Sequence, residues 1–272
     1  MSSTETPLQE LVRLLDIEQI EENLFRGFHP PGRKHRLFGG QIIAQALMAA
    51  ARTVTTDRPV HSLHAYFLRP GDPGTPAIFD VERIRDGRSF TTRRIVVIQR
   101  GEAIFNMDAS FQVREEGLQH AFDMPDLRPP TESEIPDAIR GGPFLSFQVD
   151  HKRLTSESPQ PPLRNIWFRA NGPVPDDPLM HRALLAYESD SALLSTARLP
   201  HRGSYQRDRM QMASLDHSIW FHEPFDVGDW LLYSMDSPAA ANSRGYNRGT
   251  IYSADGRLVA SCMQEGLMRI WT

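Results

Sequence analysis

Asp190, Ser214 and Gln264 stand out in this 272-residue sequence as polar groups set into otherwise apolar runs of its second half. Asp190 falls in residues 181–194, a helix-like and largely apolar segment. A carboxylate there is costly unless it is hydrogen-bonded or put to chemical use. A cap at a helix start or an exposed helix face accounts for it equally well. Gln264 lies on the last long strand-like run, where the aligned residue of the first half is Ala109. Ser214, taken alone, is a hydroxyl at the start of a strand. Asp216 and His217 suggest an acid–base pair, because histidine titrates near neutrality. Adjacent strand residues face opposite sides, so these two are not expected to share a site. His61 and His64 read as packing and strand-edge residues, and Cys262 as a small core residue.

Several chemistries are disfavoured by what the sequence lacks. It holds no GxSxG, so a serine nucleophile on an elbow is disfavoured. It holds no HExxH, no GxxxxGK[ST] and no GxGxxG after a strand. The ten histidines show no metal-ligand spacing, and a single cysteine excludes an internal disulfide or a CxxC site. No cofactor and no metal are therefore expected. The net charge is −4, with 30 basic against 34 acidic residues, which gives no reason to expect a nucleic-acid partner. No apolar run approaches the ~18 residues of a membrane span. No signal-peptide pattern is seen at the start. With the lone cysteine, these features point to the cytoplasm.

The elements that must position these residues read as two similar units. Thr6-Pro7-Leu8-Gln9 has the form of a capping box, followed by Leu8, Leu11, Leu14 and Leu15 on one helical face. Residues 42–51 are apolar nearly all round, which predicts a buried helix. Residues 60–112 then alternate like antiparallel strands, punctuated by turns at Pro70-Gly71, Asp86-Gly87 and Arg100-Gly101. The second half repeats this order: a helix at 181–194, then strands whose turns coincide with those of the first. Prolines crowd the stretch between, which is expected to carry little regular structure. The predicted organisation is an N-terminal unit at 1–115, a proline-rich connection at 116–170 and a C-terminal unit at 171–272.

Several segments carry a family resemblance. They are Leu37-Phe38-Gly39-Gly40-Gln41, residues 61–72, Arg85-Asp86-Gly87-Arg88-Ser89-Phe90 and Trp167-Phe168-Arg169-Ala170-Asn171-Gly172. Tyr187-Glu188-Ser189-Asp190, residues 215–222 and Gln264-Glu265-Gly266 complete the set. Together they resemble the acyl-CoA thioesterase II family, the TesB-like thioesterases. The resemblance spans nearly the whole chain and implies an α+β double hotdog, in which each of two tandem units wraps an antiparallel sheet around a central helix.

The resemblance also implies a catalytic trio of Asp190, a hydroxyl at Ser214 and Gln264. The family has Thr where this chain has Ser214, which keeps the hydroxyl and loses the methyl that restrains its rotamer. The implied reaction hydrolyses fatty acyl-CoA to acid and CoA. Asp190 is the base, the Gln264 side-chain oxygen and Ser214 hold the water, and Gly39 and Gly40 are candidate oxyanion donors. Arg244 and Arg248 are weaker candidates for the CoA phosphates. The expected partners are acyl-CoA and further copies of the chain, in a homo-oligomer. Two rivals keep their place: a hotdog enoyl-CoA hydratase, and a non-catalytic acyl-CoA-binding module.

Overall fold

The structure is a computed structural model and describes residues 5–30, 36–206 and 209–271. The first unit opens with α1 (Pro7–Leu15), β1 (Glu18–Glu21) and β2 (Leu24–Gly27). It continues with α2 (Gly39–Ala51), β3 (Val60–Phe67), β4 (Ala77–Asp86), β5 (Phe90–Gln99) and β6 (Glu102–Gln112). The second holds β7 (Phe144–Gln148), the short α3 (His151–Thr155), β8 (Leu163–Ala170) and α4 (Pro178–Ser189). Then come β9 (Met210–Ser214), β10 (Asp216–Phe221), β11 (Leu231–Ala241), β12 (Arg244–Ser253) and β13 (Leu258–Ile270).

All thirteen strands of the described residues join one sheet in the order β1-β2-β4-β5-β6-β3-β10-β13-β12-β11-β8-β7, with β9 added on β13. Read from either end, the order of parts is the same. β7 stands where β1 stands, β8 for β2, β11 for β4, β12 for β5, β13 for β6 and β10 for β3. The two halves meet at β3 and β10, which pair antiparallel with His64 opposite Ser218. This is the double hotdog, and the repeat expected from turn order is a repeat of sheet topology.

The local signals explain most element boundaries. Thr6 and Gln9 close the capping box on α1, whose Leu8, Leu11, Leu14 and Leu15 are buried. Residues 40–50 of α2 are buried on every side, as an all-apolar helix requires. α2 and α4 pack antiparallel at close range. A Cβ on Gly40 would lie 2.2 Å from the Tyr187 carbonyl oxygen, so only glycine permits this approach.

Three expectations need correction. The 116–170 stretch does contain regular structure: β7 and β8 complete the second unit's half of the sheet, so a boundary at 171 cuts through the second unit. The prolines sit around these strands (Pro143, Pro159, Pro161, Pro162) rather than within them, and their density masked the strand signal. The second helix runs from 178 to 189 rather than 181 to 194, because Asp177 caps it and Pro178 occupies its first turn. Ser214 ends β9 instead of starting the following strand. β9 and β10 form one strand broken at Leu215, where the pairing with β13 slips by one residue between Ser214↔Gly266 and Ser218↔Met263. That is a β-bulge, a device that re-aims side chains.

Candidate active site

Asp190 is the residue that terminates α4, with φ −85° and ψ −13°. It is neither inside the helix nor at a helix start. A carboxylate at a helix C-terminus opposes the helix dipole, so other groups must hold it. The last turn of α4 is anchored from the sheet. The Tyr233 hydroxyl donates to the Ser189 carbonyl at 2.9 Å, and Ser189 Oγ shares a 2.9 Å hydrogen bond with His217 Nε2. His217 is fully buried, and burial pushes it down to about 3, so its ring is neutral. It thus supports the backbone next to Asp190 and does not pair with Asp216, whose Oδ1 accepts from the Glu265 N–H at 2.7 Å.

The three residues singled out in the sequence converge. Gln264 Nε2 donates to Asp190 Oδ1 at 2.6 Å and to Ser214 Oγ at 3.0 Å. Ser214 Oγ lies 3.5 Å from the same Asp190 oxygen. The other carboxylate oxygen, Oδ2, accepts the Gly40 N–H at 2.9 Å. That donor belongs to the first turn of α2, so the positive end of one helix faces the carboxylate closing the other. The bulge at Leu215 brings Ser214 and Gln264 inward together. Gln264 is fully buried, and Asn247 Nδ2 reaches its carbonyl at 3.4 Å.

Burial pushes Asp190 up to about 6, against the opposing hydrogen bonds from Gln264, Gly40 and Ser214 and the field of Arg36. The residue keeps a partial opening to solvent. A carboxylate with these properties is ionised at neutral pH and basic enough to take a proton from water.

Three expected details take a more specific form. Gln264 turns its amide nitrogen toward Asp190, since a carboxylate there requires donors, and its Oε1 is buried without a partner among the described residues. Gly40 spends its N–H on Asp190, which leaves Gly39 of the glycine pair. Arg244 and Arg248 pair with Glu265 at 2.9 Å and Asp236 at 2.6 Å on the surface.

Sequence reasoning assigned no role to Glu188, whose position two residues before Asp190 in an apolar helix was the available signal. It is buried, accepts from Ser146 Oγ at 2.8 Å, and is pushed up to about 7 by burial. His61 and His64 behave as packing residues, bonded to Ser110 at 2.8 Å and Ser218 at 3.2 Å. Cys262 is a buried core thiol, pushed up to about 12 by burial. Among the described residues, no helix is long and apolar enough to cross a membrane, and no group of three or more His, Cys, Asp or Glu could hold a metal.

Comparison with known proteins gives a consistent result. Residues 148–267 match a family model described as acyl-CoA thioesterase, and residues 29–112 match one described as acyl-CoA thioesterase N-terminal domain. The chain is 42% identical to acyl-coenzyme A thioesterase 8 of Rattus norvegicus, covering 94% of this chain and 88% of the relative. It is 38% identical to acyl-CoA thioesterase 2 of Haemophilus influenzae, covering 96% and 98%. Among solved structures it matches the acyl-CoA thioesterase II TesB2 of Mycobacterium marinum. There the TM-score is 0.85 and the identity 42%, over 96% of this chain and 99% of that one.

Proposed function

The chain belongs to the acyl-CoA thioesterase family, and on that premise we propose that it hydrolyses acyl-CoA thioesters to the free acid and CoA with a water activated by Asp190. The observation that carries this reading is the part-buried Asp190 carboxylate, held by Gln264, Ser214 and the Gly40 N–H. Asp190 takes a proton from the water as its oxygen attacks the thioester carbonyl carbon. Gln264 Oε1 is the acceptor left for the water's second hydrogen. Ser214 fixes the Asp190 oxygen from the side. The oxyanion is met by the Gly39 N–H at the start of α2, where the helix dipole favours negative charge. The carbon–sulfur bond then breaks, the thiolate leaves with the bonding pair, and the proton held by Asp190 passes to it. A thiolate leaves readily, so a positioned water suffices without a covalent nucleophile.

A hydratase would want a histidine beside Asp190. His217 is committed to Ser189, which argues against that rival. The second unit supplies the reacting groups and the first supplies the donors at the α2 start. The reading includes a reducing cytoplasmic setting, supported by one buried, free cysteine. It also includes a homo-oligomer, supported by the exposed Tyr66 and Met263 on one sheet face across β3, β10 and β13. Sedimentation velocity tests that part. The test of the reaction is thiol release from acyl-CoAs of increasing chain length by wild type and Asp190→Asn. Turnover by Asp190→Asn at the wild-type rate overturns the assignment.

A further inference from the structure

Beside the Asp190 end of α4 lies a cavity of about 380 Å³, toward the lower end of the usual range for small-ligand pockets. Phe38, Phe144, Ile166 and Tyr187 form its apolar wall. Glu188 and Ser191, which flank Asp190 in sequence, also line it. An alkyl tunnel would be apolar to its end, and this cavity is not. Gln148 and Arg164 also line it, and both Gln148 Oε1 and Arg164 Nε are buried with no partner among the described residues. Such atoms cost stability unless a ligand or solvent meets them.

Among the described residues, Arg164 has no ion pair of its own. Its guanidinium donates to Ser195 Oγ at 2.7 Å, a neutral acceptor. Burial first, and then the fields of Arg198, Arg202 and Arg153, push it down to about 10, and no carboxylate works in the opposite direction. The acid in the lining, Glu188, is bonded to Ser146 and carries only part of a negative charge at neutral pH. The Arg164 guanidinium thus lines one end of the cavity with only a neutral hydroxyl on it. An arginine in this setting is a ready binder of phosphate or carboxylate.

We propose that the Arg164 end of this cavity is an anion subsite that receives a charged group of the substrate, either a CoA phosphate or a carboxylate at the far end of the acyl chain. The proposal rests on the thioesterase reading and adds the residues that recognise the substrate's charge. Four thioesters separate the two sources: hexanoyl-CoA, hexanoyl-pantetheine, and the half-esters of hexanedioic acid with CoA and with pantetheine. Arg164→Gln is expected to raise KM about 10- to 100-fold for the esters carrying the recognised anion, with kcat changed far less. A rise confined to both CoA esters assigns the phosphate. A rise confined to both hexanedioyl esters assigns the carboxylate. An equal change for all four, including uncharged hexanoyl-pantetheine, overturns the subsite.

Arg164→Lys keeps the charge and should recover part of the loss. Arg198→Gln leaves the cavity wall intact and should reproduce the pattern with a smaller, roughly 2- to 5-fold, rise, which covers the case in which Arg164→Gln fails to fold. Calorimetric binding of the four non-hydrolysable thioether analogues makes the same comparison without turnover. If charged and uncharged analogues bind alike in wild type, the subsite falls even though thioesters are hydrolysed. Arg164-dependent binding without any turnover leaves the subsite standing and removes the thioesterase reading.

Discussion

α4 ends on Asp190 and α2 ends on Arg52, and the two ends of this helix pair have been finished in opposite ways. At the Asp190 end, the Gly39–Gly40 turn and the Leu215 bulge leave a polar recess with a cavity alongside. At the other end, α1 packs on both helices and closes the space. Arg52 is tied to the Ile17 carbonyl and the Asp16 carboxylate, and Gln45 Nε2 reaches the Leu14 carbonyl at 2.9 Å. Where the second unit has Gln264, the first has Ala109, buried in the core. A symmetric sheet therefore supports one site and one plug. Duplication sets the frame, and a few side chains decide which end reacts.

The strongest test of this asymmetry removes the base. Asp190→Asn should lower kcat by roughly 10²- to 10⁴-fold in a thiol-release assay, while Arg52→Gln at the opposite end stays within about twofold of wild type. A comparable loss from Arg52→Gln would mean that both ends take part. Next, Gln264→Glu places a second carboxyl within hydrogen-bonding reach of Asp190. The pair would then share a proton, and the acidic limb of the kcat/KM profile should move up by at least about one pH unit.

The wild-type profile has a stated sign. Asp190 is basic only when ionised, so kcat/KM should fall as pH drops through about 6. A flat profile from pH 5 to 8 removes Asp190 as the base. The same shift appears in stability. The folded carboxyl holds its proton more tightly than the unfolded one, so its contribution is lost as pH rises from about 4 to about 6. Asp190→Asn should therefore unfold later in urea at pH 8, relative to wild type, than at pH 4. The difference should be roughly 1–3 kcal/mol, with the partial opening to solvent favouring the lower figure. Within the trio, the smallest expected effect is at Ser214. Ser214→Thr should leave kcat within about threefold, because it keeps the hydroxyl and adds only a methyl restraint.

Much of this arrangement was legible in the residues. The Thr6–Gln9 box, the all-apolar 42–51 run and the recurring turns yielded α1, α2 and the repeat, because each is set by neighbours in sequence. β7 and β8 were not legible, since they gain their register from β11 across the sheet and proline density hid them. The end of α4 was also hidden: Ser191 to Leu194 continue its pattern without a glycine or proline to stop it. The trio of Asp190, Ser214 and Gln264 came from resemblance, and the bulge is what brings Ser214 and Gln264 together with Asp190. The direction of the Gln264 amide and the partner of the Gly40 N–H depend on contacts across the whole chain. No local pattern encodes them.

The hydrogen bond from Gly40 to Asp190 joins the two units at the carboxylate proposed as the base. With Asp190 as the base, turnover would report how well the halves are seated on each other. A substitution deep in the α2–α4 seam, far from any thioester, will register first as a slower enzyme and only later as a less stable one. Selection for rate would then police that seam as closely as it polices Asp190. A fused pair of units holds this alignment at any protein concentration, whereas two separate chains would lose it on dilution.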